Sequence, residues 1–393
     1  MAKNDVSDWR RFKKTNPSDM RCGRNPIRLL VVSTSRSDFG VIEPIVRTAI
    51  LDARLAVGLV VCGQHLLANT PLPEETVGLQ VVRLPNSTDS LDYVCQRALR
   101  EIIQERRSEI VLLLGDRFEL LSVAEVCTLC HVPLAHCSGG ERTFGAFDDQ
   151  IRDAITKLSH LHMVSHEQAF QRLVQLQEEP WRIAVAGNPG LDGILADQRL
   201  TAEELEGLLG IKPSKADVVV AFHPVTRAPE ETTAGVTVLS TFAESFDGRV
   251  YLSTPNGDPG SDIISKAWRR LSQALPHCYE LPSLGARPFR SLVHACGALL
   301  GNSSAGICET PSLGIPSLDL GTRQRGRIRG KSVLTCTNLE PDEVRQKVQY
   351  LMSPQRMAEL QCIENPYGDG HAVPRILDHI CRWARAPELM EKV

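Results

Sequence analysis

Short apolar runs that end in polar or glycine-rich residues recur along this chain, and they constrain its fold more than any other feature. Five lie between residues 27 and 166, namely IRLLVVST, LAVGLVVCG, EIVLLLGD, VPLAHCSGG and LHMVSH. After the first run we expect a turn, SRSDFG, and then a segment with helical apolar periodicity, VIEPIVRTAILDA. Strands that alternate with helices predict a parallel sheet covered on both faces.

The same pattern begins again near residue 215, with ADVVVAFHP, RVYLSTPNGD, GALLGNSS and PSLDLGTR. Between residues 188 and 215 the chain carries turn residues and an acidic helical segment. A chain of 393 residues can bury two separate cores. The sequence therefore predicts an α/β fold of two doubly wound, Rossmann-like domains, over residues 26–195 and 210–375, with a cleft between them. Ligands of such sheets bind at the carboxyl ends of the strands.

Composition excludes several classes of protein. Lys and Arg number 44 against 47 Asp and Glu, whereas nucleic-acid-binding proteins usually show a basic excess. The basic cluster lies within residues 1–25, which show no helical period and which we expect to form a flexible tail. That segment lacks the apolar region of a secretory signal, and no window reaches the roughly 18 apolar residues of a membrane helix. We therefore expect a cytoplasmic protein that binds neither nucleic acid nor membrane.

Twelve cysteines raise the question of a metal or haem site. Cys127, Cys130 and His131 copy the spacing of a c-type haem attachment motif, and His136 and Cys137 lie nearby. Haem attachment needs export, and zinc would need a second ligand pair at suitable spacing. The segment LLSVAEVCTLC places apolar residues on one helical face. We therefore interpret these cysteines as buried core residues and expect no metal.

The segment ALLGNSSAGICETPSLGIP, residues 298–316, is the strongest binding motif. Ser303 and Ser304 follow a predicted strand and precede a helix start that carries Glu309. Free N–H groups and the helix dipole bind phosphate at such a position, although capping of the helix by either serine is the alternative. The spacing does not fit G-x-S-x-G, and the dinucleotide and nucleoside-triphosphate loops are absent, which argues against a serine hydrolase, NAD and ATP.

Arginines stand at other predicted strand ends. The segment LGTRQRGRIRGK, residues 320–331, places several arginines, Arg323 among them, directly after a strand, and Arg36 and Arg117 occupy similar positions in the first domain. Guanidinium groups suit phosphate or carboxylate ligands. A solvated basic loop explains the cluster equally well.

Asp116, Glu141, Asp148 and His223 are the acid–base candidates, because each lies at or just after a predicted strand end. The segment LAHCSGGERTFGAFDDQIR, residues 134–152, runs from a strand into two glycines, which let a backbone approach a ligand, and then into acids that could transfer protons. An exposed acidic turn is the alternative. These residues indicate a two-domain α/β enzyme that acts on a small molecule bearing phosphate.

Several segments together resemble the hydrolysing UDP-N-acetylglucosamine 2-epimerases, which supply N-acetylmannosamine for sialic acid synthesis. They follow the family's order from about residue 28 to 378 and are SRSDFG, LGDRFELLSVAE, HCSGGERTFGAFDDQIRDAITKLSHLH, AGNPGLD, FHPVT, GNSSAGICETPSLGIPSLDLGTRQRGR and YGDGHAVPRIL. The resemblance implies the two-domain glycosyltransferase-B (GT-B) architecture, with a C-terminal helix or tail over 376–393 that packs back on the first domain. It also implies a homodimer or homotetramer and no redox cofactor.

The resemblance further implies a reaction and its residues. UDP leaves C1 of UDP-N-acetylglucosamine, C2 loses a proton to give a 2-acetamidoglycal, and water adds so that the C2 epimer is released as a free sugar. The residues that match the family's UDP site are Arg36, Arg117, Ser303, Ser304, Glu309 and Arg323. Those that match its acid–base positions are Asp116 and Asp148, and His223 matches a histidine near the diphosphate.

One position departs from the family pattern. Animal members carry His-Ile-Glu-Gly-Gly-Glu where this chain has His-Cys-Ser138-Gly-Gly-Glu141. Ser138 cannot act as a carboxylate base, so either Glu141 takes more of that role or Asp116 and Asp148 share it. Bacterial members vary here, and those acting on UDP-2,4-diacetamido-2,4,6-trideoxyglucose are closely similar. That substrate, a GT-B glycosyltransferase and a non-catalytic UDP-sugar-binding protein therefore stand as alternatives.

Overall fold

A computed structural model of the protein describes residues 25–62, 80–83, 93–144, 148–196, 199–360 and 363–392. The tail predicted for residues 1–25 lies outside them, apart from Asn25. The chain divides into two compact units. Unit 1 comprises residues 1–140, 150–190 and 371–393, and unit 2 comprises residues 141–149 and 191–370. No sequence pattern had indicated that residues 141–149 group with unit 2.

Unit 1 contains a parallel seven-stranded sheet in the order β3-β2-β1-β4-β5-β6-β7. Its strands are β1 (Ile27–Ser33), β2 (Leu55–Val61), β3 (Gln80–Arg83), β4 (Ile110–Leu114), β5 (Leu134–Cys137), β6 (Leu161–Val164) and β7 (Ile183–Val185). Its helices are α1 (Arg36–Leu51), α2 (Tyr93–Arg106), α3 (Glu119–Leu129), α4 (Asp148–Leu158, whose first two residues group with unit 2), α5 (Glu167–Gln175) and, from the C-terminal segment, α15 (Ala372–Trp383).

Unit 2 contains a parallel six-stranded sheet in the order β10-β9-β8-β11-β12-β13. Its strands are β8 (Val218–Ala221), β9 (Val250–Leu252), β10 (Cys278–Glu280), β11 (Ala298–Gly301), β12 (Ser317–Leu320) and β13 (Val333–Cys336). Its helices are α6 (Gly190–Ala196), α7 (Ala202–Leu209), α8 (Pro229–Glu244), α9 (Ser261–Ala274), α10 (Ala286–Ala295), α11 (Ala305–Cys308), α12 (Thr310–Leu313), α13 (Pro341–Leu351) and α14 (Pro354–Glu359).

The predicted pair of doubly wound Rossmann-like folds is confirmed. The central strands are rich in apolar residues because helices cover both faces of each sheet, and every residue of β4 is buried. Strand order reverses between β1 and β4 in unit 1 and between β8 and β11 in unit 2. Loops that leave the carboxyl ends of strands on either side of such a reversal diverge, which opens a crevice for ligands.

Two local expectations were wrong or incomplete. SRSDFG is not a turn between strand and helix, because α1 begins at Arg36, where the Ser35 side chain caps it by accepting a hydrogen bond from the Asp38 N–H at 3.2 Å. The strands β3, β7, β10 and β13 were not predicted. All four lie at sheet edges, and β7, β10 and β13 are only partly buried, whereas the predicted strands β5, β6, β8, β9, β11 and β12, which are equally short, are completely buried.

The interpretation of Cys127 as a core residue is confirmed, since it is fully buried on α3 among apolar side chains, whereas Cys130 is only partly buried. Within the described residues, no group of three or more His, Cys, Asp or Glu side chains is arranged to hold a metal ion. None of the described helices is long and apolar enough to cross a membrane.

The C-terminal segment packs on unit 1. Val373, Ile376 and Ile380 of α15 are buried in the same apolar cluster as strands β1 and β2. After α15, the short 3₁₀ segment Pro387–Met390 is held by Arg182, which is 1% exposed. The Arg182 guanidinium donates to the carbonyls of Leu389 at 2.8 Å, Glu391 at 3.2 Å and Glu388 at 3.3 Å, and to the carboxylate of Glu179 at 2.6 Å.

Replacing Arg182 with methionine is expected to lower the free energy of unfolding by about 3 kcal/mol, because the buried carbonyl of Leu389 and the partly buried carbonyls of Glu388 and Glu391 lose their donor at once. Urea unfolding followed by circular dichroism measures the change. Arg345→Met is the matched control, since that arginine is 50% exposed on α13 and its loss is expected to change stability by at most about 0.5 kcal/mol. A loss below about 1 kcal/mol for Arg182→Met would show that the segment is held in another way.

Candidate functional site

Asp116 and the two glycines of HCSGGE lie at the same edge of the unit 1 sheet. Gly115 and Asp116 directly follow β4, and Ser138 follows β5. These strands are neighbours, with Leu114 opposite Cys137. The prediction that an acid after one strand stands beside the glycine turn after the next is therefore confirmed for Asp116.

An ion pair orients the Asp116 carboxylate. Its Oδ2 accepts a hydrogen bond from Nη2 of Arg152, whose side chain is 1% exposed, whereas the Asp116 side chain is 23% exposed. Arg152 lies on α4. The buried guanidinium thus fixes the carboxylate from the protein side, and a ligand can still reach it. Sequence reasoning missed Arg152, since nothing in its local pattern marks a partner 36 residues away.

His136 is a buried residue that supports the backbone next to Asp116. Its Nε2 lies 2.8 Å from the carbonyl oxygen of Gly115, and its Nδ1 lies 3.3 Å from Oγ1 of Thr156. Because a carbonyl only accepts, Nε2 carries the proton and Nδ1 accepts from the threonine hydroxyl. Burial lowers the pKa of His136 to about 4, so the ring is neutral at neutral pH. It fixes the backbone that leads into Asp116 against α4.

The glycine turn has a specific backbone requirement. Ser138 adopts a left-handed conformation with φ of 66°, which is uncommon for a residue with a Cβ and recurs at functional sites. Gly140 has φ of 76°, and a Cβ there would lie 2.5 Å from the carbonyl oxygen of Ala169. We expected the glycines to let the backbone approach a ligand. For Gly140 the close neighbour is instead the protein's own backbone on α5.

The acids after the glycine pair have different environments. Glu141 is 5% exposed, and its Oε2 accepts from Nη1 of Arg327 at 2.8 Å within unit 2. Asp149 is 9% exposed and accepts from the N–H of Thr143 at 2.8 Å, which closes the loop. Asp148, by contrast, is partly exposed at the start of α4. The alternative of an exposed acidic turn is wrong for Glu141 and Asp149.

Asp38 is an acid that sequence reasoning did not single out. It lies in the first turn of α1, directly after β1 and hence at the strand reversal. Burial raises its pKa to about 6, opposed by the hydrogen bond with Ser35 and the charge of Arg117, while the Asp116 carboxylate raises it further. Asp38 lies in SRSDFG, shortly after a predicted strand, and this position could have identified it as a candidate site residue.

Of the two arginines predicted for unit 1, the structure describes the side chain of Arg117. Arg117 follows Asp116, and its Nε lies 3.3 Å from Oε2 of Glu119. Its charge also acts on Asp38, so it belongs to the same group. Arg36 is the first residue of α1, but its side chain lies outside the described part of the structure.

In unit 2, Asn302 joins the ends of two neighbouring strands. Its Oδ1 accepts from the N–H of His223 at 2.7 Å, and its Nδ2 donates to the His223 carbonyl at 2.8 Å. Its own carbonyl accepts from Nη1 of Arg323 at 3.1 Å and from Nε2 of Gln324 at 2.8 Å. His223 and Arg323, both predicted site residues, are therefore brought together around the carboxyl end of β11.

The protonation of His223 follows from its surroundings. Its Nδ1 accepts a hydrogen bond from the backbone N–H of Asn256 at 3.1 Å, so the proton of the neutral ring lies on Nε2. Burial and, to a smaller extent, the charge of Arg323 lower the pKa of His223 to about 3. At neutral pH this residue is therefore a neutral hydrogen-bond donor, not an imidazolium.

The serine motif after β11 is a tight turn with a very short helix. Gly301 has φ of 131°, and a Cβ there would lie 2.1 Å from the carbonyl oxygen of Ala221 on β8. Ser304 is the N-cap residue of α11 but makes no side-chain capping bond, while Ser303 Oγ accepts from the Ala305 N–H at 3.4 Å. The capping alternative is therefore wrong for Ser304.

The expected helix carrying Glu309 is interrupted at that residue. α11 contains only Ala305–Cys308, and α12 begins at Thr310 with Pro311 in its first turn. Pro311 lacks an N–H and so cannot continue the hydrogen bonding of the preceding helix. Glu309 accepts from Nε of Arg290 at 2.9 Å, which fixes its carboxylate. The dipole of a single turn is weak, so this helix start offers an anion less stabilisation than the longer helix that was predicted.

The arginine-rich loop after β12 is held by three carboxylates, of which Asp319 and Glu141 are buried and Glu231 is partly buried. Glu231 accepts from the N–H of Thr322 at 3.0 Å and from its hydroxyl at 2.7 Å. Asp319 is paired with Arg329 at 2.5 Å, and Arg327 with Glu141. The alternative of a solvated basic loop is wrong for these two arginines, although it describes the exposed Arg325. The anchors orient the segment that carries Arg323.

Comparisons with known proteins agree with the resemblance seen in the sequence. Residues 50–381 match the family model described as UDP-N-acetylglucosamine 2-epimerase. The chain is 30% identical over 335 residues to a GDP/UDP-N,N'-diacetylbacillosamine 2-epimerase (hydrolyzing) of Campylobacter jejuni, covering 82% of this chain and 87% of that protein. It is 29% identical to a UDP-N-acetylglucosamine 2-epimerase of Neisseria meningitidis, covering 78% and 83%.

Its fold is also similar to a crystal structure of UDP-GlcNAc 2-epimerase from Neisseria meningitidis bound to UDP-GlcNAc. The TM-score is 0.77 at 17% identity, with 91% of this chain and all of that chain covered. Since the family model spans most of the sequence, this chain belongs to the UDP-N-acetylglucosamine 2-epimerase family.

Proposed function

We propose that this protein is a hydrolysing 2-epimerase that converts UDP-N-acetylglucosamine and water into N-acetylmannosamine and UDP. The observation that carries the proposal is Asp116, a partly exposed carboxylate held by the buried Arg152 at the strand reversal, in a chain of this family. The name of the Campylobacter jejuni relative, which is a hydrolysing enzyme, supports hydrolysis over simple epimerisation.

In the proposed reaction the C1–O bond breaks first, and its electron pair leaves with UDP. The C2 proton is only weakly acidic in the substrate, but it becomes acidic as positive charge builds at C1. A carboxylate then removes it, and the C2–H electron pair forms the C1–C2 double bond of a 2-acetamidoglycal. Water adds its hydroxyl to C1, and a proton returns to C2 on the opposite face. Stabilising the departing diphosphate is a large share of such catalysis.

We assign the UDP moiety to the side chains that group around the end of β11 and the arginines that follow other strand ends. In this assignment the Ser303–Ser304 turn and Arg323 bind the diphosphate, and Glu309 binds the ribose hydroxyls. Neutral His223 donates its Nε2–H to the leaving phosphate. Arg36 and Arg117 contact the nucleotide.

We assign the proton transfers to Asp116 and Asp148. Ser138 has no carboxylate. The Glu141 carboxylate is paired with Arg327, which favours a role for Glu141 in orienting the loop and the charges that the loop carries. We further propose that the protein works in the cytoplasm as a homodimer or homotetramer, without a redox cofactor.

A second candidate substrate is the UDP-activated 2,4-diacetamido-2,4,6-trideoxy sugar, on which the same reaction would give a precursor of legionaminic-type acids. The specific observation in its favour is the name of the relative that is 30% identical. Both candidates share the acetamido group at C2 and the diphosphate, so the assignments above apply to each.

Incubation with each UDP-sugar alone in D₂O, followed by proton NMR, tests the proposal. We expect release of UDP together with a free C2 epimer that carries deuterium at C2, and the sugar that turns over faster identifies the substrate. Formation of a UDP-linked epimer would contradict hydrolysis. Turnover that requires an acceptor would indicate a GT-B glycosyltransferase, and binding without turnover a UDP-sugar-binding protein.

Asp116→Asn and Asp148→Asn are each expected to lower kcat by about two orders of magnitude or more, as the loss of a general acid or base does. Calorimetry with UDP should show near-normal affinity, since neither carboxylate is assigned to the nucleotide. Asp342→Asn, 84% exposed on α13, is the control and should match the wild type. Near-normal kcat in either site variant would remove that residue from the mechanism.

Because His223 is assigned as a neutral donor, His223→Ala is expected to lower kcat about 100-fold, whereas His223→Gln, which keeps an N–H, should retain more activity. Its folded pKa of about 3 lies below the usual value near 6.5, so the ring stays neutral from pH 5 to 8. Plots of kcat against pH for the wild type and for His223→Gln are therefore compared. The wild-type plot should contain no step near pH 6.5 that is absent from the plot for the variant. Such a titration would identify His223 as a charged general acid.

A further inference from the structure

Helix α4 connects the proposed acids with the interior of unit 1. Asp148, Arg152 and Thr156 follow one another at intervals of four residues and so lie along one face of the helix. Asp148 is at its first turn, Arg152 is paired with Asp116, and the hydroxyl of Thr156 reaches the buried His136. A shift of α4 along its own axis would therefore move the Arg152 guanidinium that holds the Asp116 carboxylate.

The C-terminal end of α4 is bound by Lys392. The Lys392 ammonium donates to the carbonyl of Thr156 at 3.1 Å and to the carbonyl of Ser159 at 2.5 Å, and both residues are completely buried. The carbonyl of Thr156 also accepts from the Ser159 N–H at 3.0 Å, so Lys392 adds a second donor there, and a cation at this end interacts favourably with the helix dipole. Lys392 thus acts as a cap supplied from 236 residues away.

A buried carboxylate neutralises this ammonium. Glu178, whose side chain is fully buried, lies 2.7 Å from Nζ of Lys392 and also accepts from Nε2 of His162 at 3.0 Å and from Nζ of Lys157 at 2.8 Å. Burial by itself raises the pKa of Glu178, but these hydrogen bonds outweigh it and bring the pKa to about 2. Burial lowers the pKa of His162 to about 4. At neutral pH one carboxylate therefore faces two ammonium groups and a neutral imidazole.

The C-terminal segment has an attachment to the rest of unit 1 that does not involve Lys392. Arg182 already binds the backbone of that segment through three carbonyls, at Glu388, Leu389 and Glu391. The contacts that Lys392 adds are to α4 and Glu178 instead. Lys157 offers a comparison within the molecule, since its Nζ contacts the same Glu178 but donates to the Leu176 carbonyl and reaches neither Thr156 nor Ser159.

We infer that Lys392 is a positioning residue for the acid–base chemistry, which it serves by capping α4 and fixing the Arg152–Asp116 pair and Asp148. Its expected effect on turnover rests on the proposed function. The cap itself is a property of the fold and has a readout of its own.

The test compares Lys392→Met with Lys157→Met, because each removes one ammonium from Glu178 and only the first removes the cap. For Lys392→Met we expect kcat to fall about tenfold with KM within about threefold of the wild type, and amide hydrogen exchange to speed up within residues 148–159. Lys157→Met should keep kcat within about twofold. Equal losses in both variants would overturn the inference, because neutralising Glu178 would then be the common cause.

Other outcomes are equally decisive. Wild-type kcat in Lys392→Met overturns the inference, as does faster exchange spread evenly over unit 1, which would indicate general destabilisation. If Lys392→Met does not fold, Lys392→Gln, which keeps a donor, should give an intermediate kcat, and an unchanged kcat there overturns the inference. If the wild type turns over no UDP-sugar, the proposed function fails, yet hydrogen exchange at residues 148–159 still decides whether Lys392 caps α4.

Discussion

Parallel strands buried on both faces leave only the strand ends for polar chemistry, ligands of such folds bind at the carboxyl ends, and both units of this protein depend on that constraint. In unit 1 the ends of β4 and β5 bring Asp116 beside the glycine turn. In unit 2 the ends of β8 and β11 bring His223 beside Asn302, whose side chain bonds both backbone groups of the histidine. The reversal of strand order opens the sheet edge at these positions, so the same topology that buries the core also selects which residues a ligand can meet.

Charges near these edges are fixed by buried partners rather than by solvent. Arg152 holds Asp116, Arg327 holds Glu141 and Arg329 holds Asp319, and each pair includes at least one side chain that is almost completely buried. Burying an unpaired charge is costly, so each pair restricts both members to one geometry. The buried histidines carry no charge, since burial lowers the pKa of His136 and His223 and keeps both rings neutral. Each ring therefore has one N–H, which donates a hydrogen bond from a fixed position. A site built in this way is pre-organised before a substrate binds.

Much of this organisation could be predicted from the sequence. Apolar runs that end in polar residues predict the central strands and the two-domain division. They also predict that Asp116, His223 and the serine turn lie at strand ends. The edge strands were not predicted, because β7, β10 and β13 are only partly buried and so need no fully apolar sequence. The family resemblance singled out Asp148 and assigned nothing to its neighbour Asp149, and only the hydrogen bond from the Thr143 N–H identifies Asp149 as a loop-closing residue.

The sequence by itself determined the fold class, the order of the elements and which residue types stand where a ligand binds, because these depend on local patterns of burial and backbone preference. Only the tertiary structure decided which charges are paired, which tautomer each buried histidine adopts and how α4 is held at both ends. Arg152 meets Asp116 across 36 residues and Lys392 meets the Thr156 carbonyl across 236, and contacts between residues so far apart in the chain leave no periodic trace in the sequence. They exist only once the sheet has brought their backbones together.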